Sequence, residues 1–183
     1  MADRSRAMAI PDSDHPEFIG CEKLVERHRN QITSFRQWAS ASDWNSFHHN
    51  HYDWWAFPIT APSSYGHMFS VSAESVAHLK ADKDFIVELA EGAQLLLQSW
   101  GWNYETNRPI DHPTTGQSWA NWPIRLYKCW KSMRLLGCEA EEKACYKYAQ
   151  WLKSNGISFE YGGRDLYEKF VTGQFSPESA SPE

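Results

Sequence analysis

The chain has 183 residues, a formal net charge of −5 and 15% aromatic side chains, with ten tryptophans among them. That length allows one domain with its own core. An acidic balance with scattered basic residues argues against nucleic acid, which needs a concentrated basic patch, and no run approaches the roughly 18 consecutive apolar residues of a membrane span.

Met-Ala-Asp-Arg-Ser-Arg at the start precedes no apolar stretch, so no signal peptide is read. Cys21, Cys129, Cys138 and Cys145 form no Cys-x-x-Cys pair and read as buried free thiols in a reducing compartment. Cys138 and Cys145, seven apart, fall on similar faces of a helix. The expected location is cytoplasmic.

Residues 1–14 are polar and are expected to form a flexible N-terminus. Helical spacing starts at His15-Pro16 and continues through Phe18, Cys21, Val25, His28, Ile32 and Phe35 to about Trp38, with Asp14 as its cap. Asp43 caps a second helix that Pro58 ends. Ser72 precedes a short helix over 73–81. Asp82 caps a longer one carrying Phe85, Leu89, Ala93, Leu96, Leu97 and Trp100, stopped near Gly101. Residues 103–118 form a long polar connection of the kind that often serves as a lid or site wall. Helix resumes near Trp119 and breaks at Gly137, follows again over Glu139–Ser154, and closes with a short piece over Arg164–Val171. Ile157–Tyr161 reads as extended and Gly162-Gly163 as a turn. The tail 173–183 is rich in Pro, Ser and Glu and is expected to be disordered. The resulting picture is all-α: a single compact domain over 15–172, with five to six helices around an aromatic-rich core.

The densest chemistry lies in Asp43-Trp-Asn-Ser-Phe-His-His-Asn-His-Tyr-Asp-Trp-Trp-Ala-Phe-Pro58. On one continuous helical wheel Trp44, Phe47, His48, His51 and Trp55 share a face, while His49 and Asp53 pair at i, i+4 near the opposite one. Two readings stand side by side. In the first, His48 and His51 are core histidines bonded to backbone or tyrosine hydroxyls, and His49–Asp53 is a solvated pair. In the second, imidazoles among indoles form an acid–base site, with Asp53 orienting a histidine. A metal site would need His67 or His112 to arrive from loops, and no His-Glu-x-x-His supports it, so no metal is expected. Arg125, Lys128, Lys131 and Arg134 read as a solvated helix face.

No Gly-x-Ser-x-Gly, phosphate-binding Gly-Lys-Ser/Thr or Gly-x-Gly-x-x-Gly motif is present. The enzymatic expectation is therefore cofactor-free acid–base chemistry, such as isomerisation, dehydration or cyclisation, on a hydrophobic unsaturated small molecule. His51, His48 and Asp53 are its catalytic candidates. Tyr52, Trp54, Trp55, Trp100, Trp122 and Arg125 are the substrate-binding ones, with Arg125 facing a pocket anion. The alternative is a non-catalytic domain that binds a peptide or protein on an aromatic groove. Self-association is open in either case.

Tyr52, Trp55, Phe57 and Pro58 also resemble a block of the conserved domain of the opioid growth factor receptor family. The similarity continues through Ser72–Trp102, with Trp100-Gly101 at its end, and through Trp122–Gly137, with Arg125, Leu135, Leu136 and Gly137, covering about 43–155. The resemblance implies an all-helical domain and no particular catalytic residue. The departures fall on Asn50, where a one-residue slip would bring in His51, and on Asp53 and Trp54, in place of an aliphatic residue and a glutamine.

Overall fold

A computed structural model of the chain describes residues 10–174; the expected flexible start and disordered tail lie outside the described residues over 1–9 and 175–183. Between them run α1 (Cys21–Ser40), α2 (Trp44–His49), α3 (Asp53–Ala56), α4 (Ala73–Ala81), α5 (Lys83–Ser99), α6 (Pro123–Leu136), α7 (Glu139–Ser154) and α8 (Leu166–Gln174). The fold is mostly helical, and two short antiparallel hairpins interrupt it: β1 (Trp102–Asn103) with β2 (Arg108–Pro109), and β3 (Glu160–Tyr161) with β4 (Arg164–Asp165).

The local signals explain most helix ends. Asp43 accepts the Ser46 N–H, Asp82 accepts the Phe85 N–H, and Ser72 with Ser75 forms a reciprocal capping box. Gly137 ends α6 in a left-handed conformation, φ 82°. Gly162 and Gly163, at φ 58° and 73°, make the tight turn between β3 and β4.

Three expectations need correction. The first helix begins at Cys21, because Gly20 at φ 91° breaks the chain direction and residues 15–18 close a turn. Asp14 caps nothing there. It accepts the Ser72 hydroxyl, and the carbonyls of Pro11 and Asp12 bind the first N–H groups of α4, so residues 11–14 are tied to that helix. The sixth helix starts at Pro123, not Trp119, with proline in its first turn where a missing N–H is harmless. The third correction concerns the His/Trp segment, which forms two short helices with Asn50–Tyr52 between them.

α1 lies along α5 and α6 along α7, and the other elements close over these pairs. Gly92 permits the first contact: a Cβ there would stand 2.7 Å from Ile32 Cδ1. The core divides into aromatic neighbourhoods. Phe35, Phe47, Tyr52 and Phe57 pack between α1 and the α2–α3 segment. Trp100, Trp102, Trp119, Tyr148 and Phe159 pack where β1 meets α7. Trp130 and Phe170 join α6 to α8. No described helix is long and apolar enough to cross a membrane.

Candidate functional site

Arg125 organises the His/Trp segment. Its side chain is fully buried and spends four of its five donors there. Nε donates to Asp53 Oδ1 at 2.6 Å, Nη1 to the Phe47 carbonyl at 2.7 Å and the Tyr52 hydroxyl at 3.1 Å, and Nη2 to the Asn50 carbonyl at 2.8 Å. Its guanidinium carbon lies 4.3 Å from the Tyr52 ring centroid and 4.7 Å from that of Trp122. The Tyr52 hydroxyl donates to the Phe47 carbonyl as well, at 2.7 Å, and burial pushes its pKa up.

These bonds explain the break at 50–52. In an unbroken helix the Phe47 carbonyl would accept the N–H of residue 51. Here a guanidinium and a phenol donate to it in place of that N–H, capping the last turn of α2 with a cation at its favoured end. Asn50 turns extended, with ψ 150°, and the chain restarts as α3. The wheel drawn through 44–55 therefore does not apply, and the expected His49–Asp53 pair is not formed. His49 Nδ1 bonds to the Asn45 carbonyl, while Asp53 pairs with Arg125. The solvated or pocket-facing role expected of Arg125 is likewise corrected, because both its charge and its donors are consumed inside the fold.

His48 Nε2 lies 2.8 Å from the Gly116 carbonyl, so that nitrogen carries the proton. Partial burial lowers its pKa, the Gly116 bond opposing, and His49 and Arg125 lower it further. Beside it, the Trp44 indole donates to Thr114 Oγ1 at 2.6 Å and Gln117 reaches the Gln98 carbonyl at 2.8 Å. The loop expected to serve as a lid is thus fastened to α2 and α5.

Trp100, expected to shape a cavity, is a core residue, 3% exposed and stacked on Tyr148. His67 stacks on His15 with centroids 4.0 Å apart, away from any histidine of the α2–α3 segment. The proposed catalytic three are thus sent to separate partners: His48 to Gly116, Asp53 to Arg125, and His51 to the surface.

His51 is exposed, and around it the remaining candidates come together. Its ring is 5.9 Å from Trp122, edge-on, and 6.5 Å from Trp54. Trp54 continues to Tyr65 at 4.9 Å and to Trp55 at 5.9 Å. Trp54, Trp55 and Trp122 are half-buried and Tyr65 is 45% exposed. The indole N–H groups of Trp122 and Trp55 are held by the His48 carbonyl and Gln31, which fixes those two rings. A narrow crevice of about 10 Å³, room for one water-sized group, opens beside Trp54 and is lined in part by Phe57, Phe69, Ser70 and Lys128. A larger open groove of about 310 Å³ lies elsewhere, along α1 at Cys21, Val25 and Arg29.

Tyr65 and Lys128 were not singled out as site residues from the sequence. Tyr65 sits in a Ser/Pro/Gly loop with no periodicity to aim it. Lys128 followed Arg125 by three and was assigned to a solvated face; that three-residue step from a buried arginine is the signal that places it beside the segment.

Compared with protein-family models, with curated proteins and with solved structures, the chain matches none.

Proposed function

We propose that the protein is a binding domain that docks a peptide or partner protein on the aromatic strip formed by Trp122, His51, Trp54, Tyr65 and Trp55. The observation that carries this reading is the placement of those rings. Their centroids follow one another in an unbroken series at 4.9–6.5 Å, each residue keeps part of its surface in solvent, and Trp55 and Tyr65 pack on the buried Phe69. Interfaces draw their energy from rigid aromatic anchors of this kind. An open row of rings suits a polypeptide better than a small molecule, which normally sits in a concave site of roughly 300–1,000 Å³. In the same reading, the buried residues of the Trp-x-Phe-Pro block supply a scaffold of the opioid growth factor receptor type, and the departure at Trp54, with His51 beside it, supplies this chain's own specificity.

Peptide-phage selection against the full chain tests the proposal. Enriched sequences are expected, and Trp54→Ser should lose them at least tenfold while its thermal transition stays within a few degrees of the parent. No enrichment, or enrichment indifferent to Trp54→Ser, overturns it.

A second reading rests on His51. Its imidazole stands in solvent between two indoles, where a bound hydrophobic ligand would meet it as a proton donor or acceptor. His51→Ala should then abolish turnover of such a ligand and leave peptide selection unchanged. Loss of selection with His51→Ala assigns the imidazole to docking instead.

A further inference from the structure

Two cations bracket the aromatic strip. Lys128 Nζ lies 5.1 Å from the Trp54 ring centroid, and the Arg27 guanidinium carbon lies 4.0 Å from that of Trp55. Trp54 and Trp55 neighbour each other, and Tyr65 stands edge-on to both. The order across the face is therefore cation, ring, ring, cation.

Neither charge has an ionic partner among the described residues. The ion pairs there engage Arg29, Arg36, Arg125, Arg134 and Lys153, and no described carboxylate stands within 4.0 Å of Lys128 or Arg27. Asp53, whose charge reaches Lys128, is already committed to Arg125 at 2.6 Å. Lys128 is also half-buried, and that burial pulls its pKa below the ordinary lysine range, Asp53 opposing and Arg125 reinforcing. Removing part of an ammonium's hydration without supplying an anion is unfavourable, so an incoming carboxylate recovers what the fold has given up. The crevice at Lys128 also holds Ser63. That hydroxyl accepts the Tyr65 N–H, whereas the Ser70 hydroxyl donates to the Ala61 carbonyl.

Resting on the binding-domain reading, we infer that the strip takes an acidic segment of a partner protein, in which an aromatic or branched apolar anchor lies on Trp54 and Tyr65 and carboxylates on either side reach Lys128 and Arg27. The chain's net charge is −5, so two unpaired cations on one face are a local departure from the whole and set the sign of what that face attracts. Two charges are too few for a nucleic-acid track, whose affinity grows with the number of phosphates neutralised.

The inference is tested by titrating the full chain, by tryptophan fluorescence and calorimetry, with two blocked hexapeptides: acetyl-Asp-Glu-Leu-Phe-Glu-Asp-amide and its uncharged counterpart acetyl-Asn-Gln-Leu-Phe-Gln-Asn-amide. The acidic peptide should bind at least tenfold more tightly. Lys128→Met should remove most of that preference, and Arg27→Met part of it, with each variant unfolding at the parent temperature. Equal binding of the two peptides, or a preference untouched by Lys128→Met, overturns the acidic partner while leaving the docking surface to stand on the phage selection and on Trp54→Ser. No binding of either hexapeptide overturns it too, and absent phage enrichment then removes the surface reading as well. Binding of oligothymidylate more tightly than the acidic peptide replaces the protein partner with single-stranded nucleic acid.

Discussion

Arg125→Met is expected to lower the unfolding free energy by about 3–5 kcal/mol, the loss usual when one member of a buried ion pair is removed. The arginine is 0% exposed, and the carboxylate left behind, Asp53, has only 9% of its side chain exposed. The substitution also strips a donor from the Asn50 carbonyl, which adds to the cost, while the Phe47 carbonyl and the Tyr52 hydroxyl keep each other as partners. For a chain of this length the thermal midpoint should fall by roughly 10 °C, at about 2–4 °C per kcal/mol. Lysine should not rescue it, since a single ammonium cannot reach four acceptors in a plane. The double variant Arg125→Met with Asp53→Leu should regain part of the loss, because the stranded charge is then gone. Urea unfolding of the three variants measures this. A single-variant loss under about 1 kcal/mol would show that the network contributes little to stability.

The second large effect follows pH. His28 is fully buried in α1, with Nδ1 3.3 Å from the Trp55 carbonyl and its ring 4.8 Å from Phe85. Burial, opposed by the bond to the Trp55 carbonyl, brings its pKa from 6.5 down to about 4. The unfolded chain therefore binds this proton more readily than the folded one. Stability from neutral His28 is complete above about pH 6.5 and drains away as pH falls toward 4; below that both states are protonated and the loss stops. The shift corresponds to about 3 kcal/mol. His48 is shifted in the same direction and adds to the slope. Urea curves at several pH values between 7.5 and 4 should show the decline, and His28→Leu should flatten it by about that amount, whatever its effect at neutral pH. An unchanged slope in His28→Leu would assign the decline to other groups.

Both effects bear on what the sequence discloses. Signals that act within a few residues were legible: the Asp43 and Asp82 caps, the Gly137 stop and the Gly162-Gly163 turn all concern the backbone next to them. The α2–α3 break was not legible, because its cause lies on another helix. Asp43 and Pro58 mark both ends of a plausible single helix, and nothing between them states that the Phe47 carbonyl belongs to Arg125. A trace existed in α6: Arg125, Cys129, Ser132 and Leu136 recur at helical spacing and are all buried, so a cation on that face was bound to need an internal anion. Most rings of the strip stand out in the sequence, yet a single helical wheel gives them a different arrangement. His51 comes to the surface, with Trp54 half-buried beside it, because the helix breaks at Asn50. Tyr65, whose loop carries no periodic pattern, completes the strip only in three dimensions.

The Arg125 bonds also impose an order of assembly. They join residues 72 to 78 positions apart in the chain, and contacts of such separation form only after a long loop has closed. During synthesis, the segment around Asn50 waits until α6 has left the ribosome before it meets the group that shapes it. A peptide spanning 43–58 alone has no such group, so its conformation in isolation is not a guide to the native one, and the aromatic face is completed late, when most of the domain exists to support it.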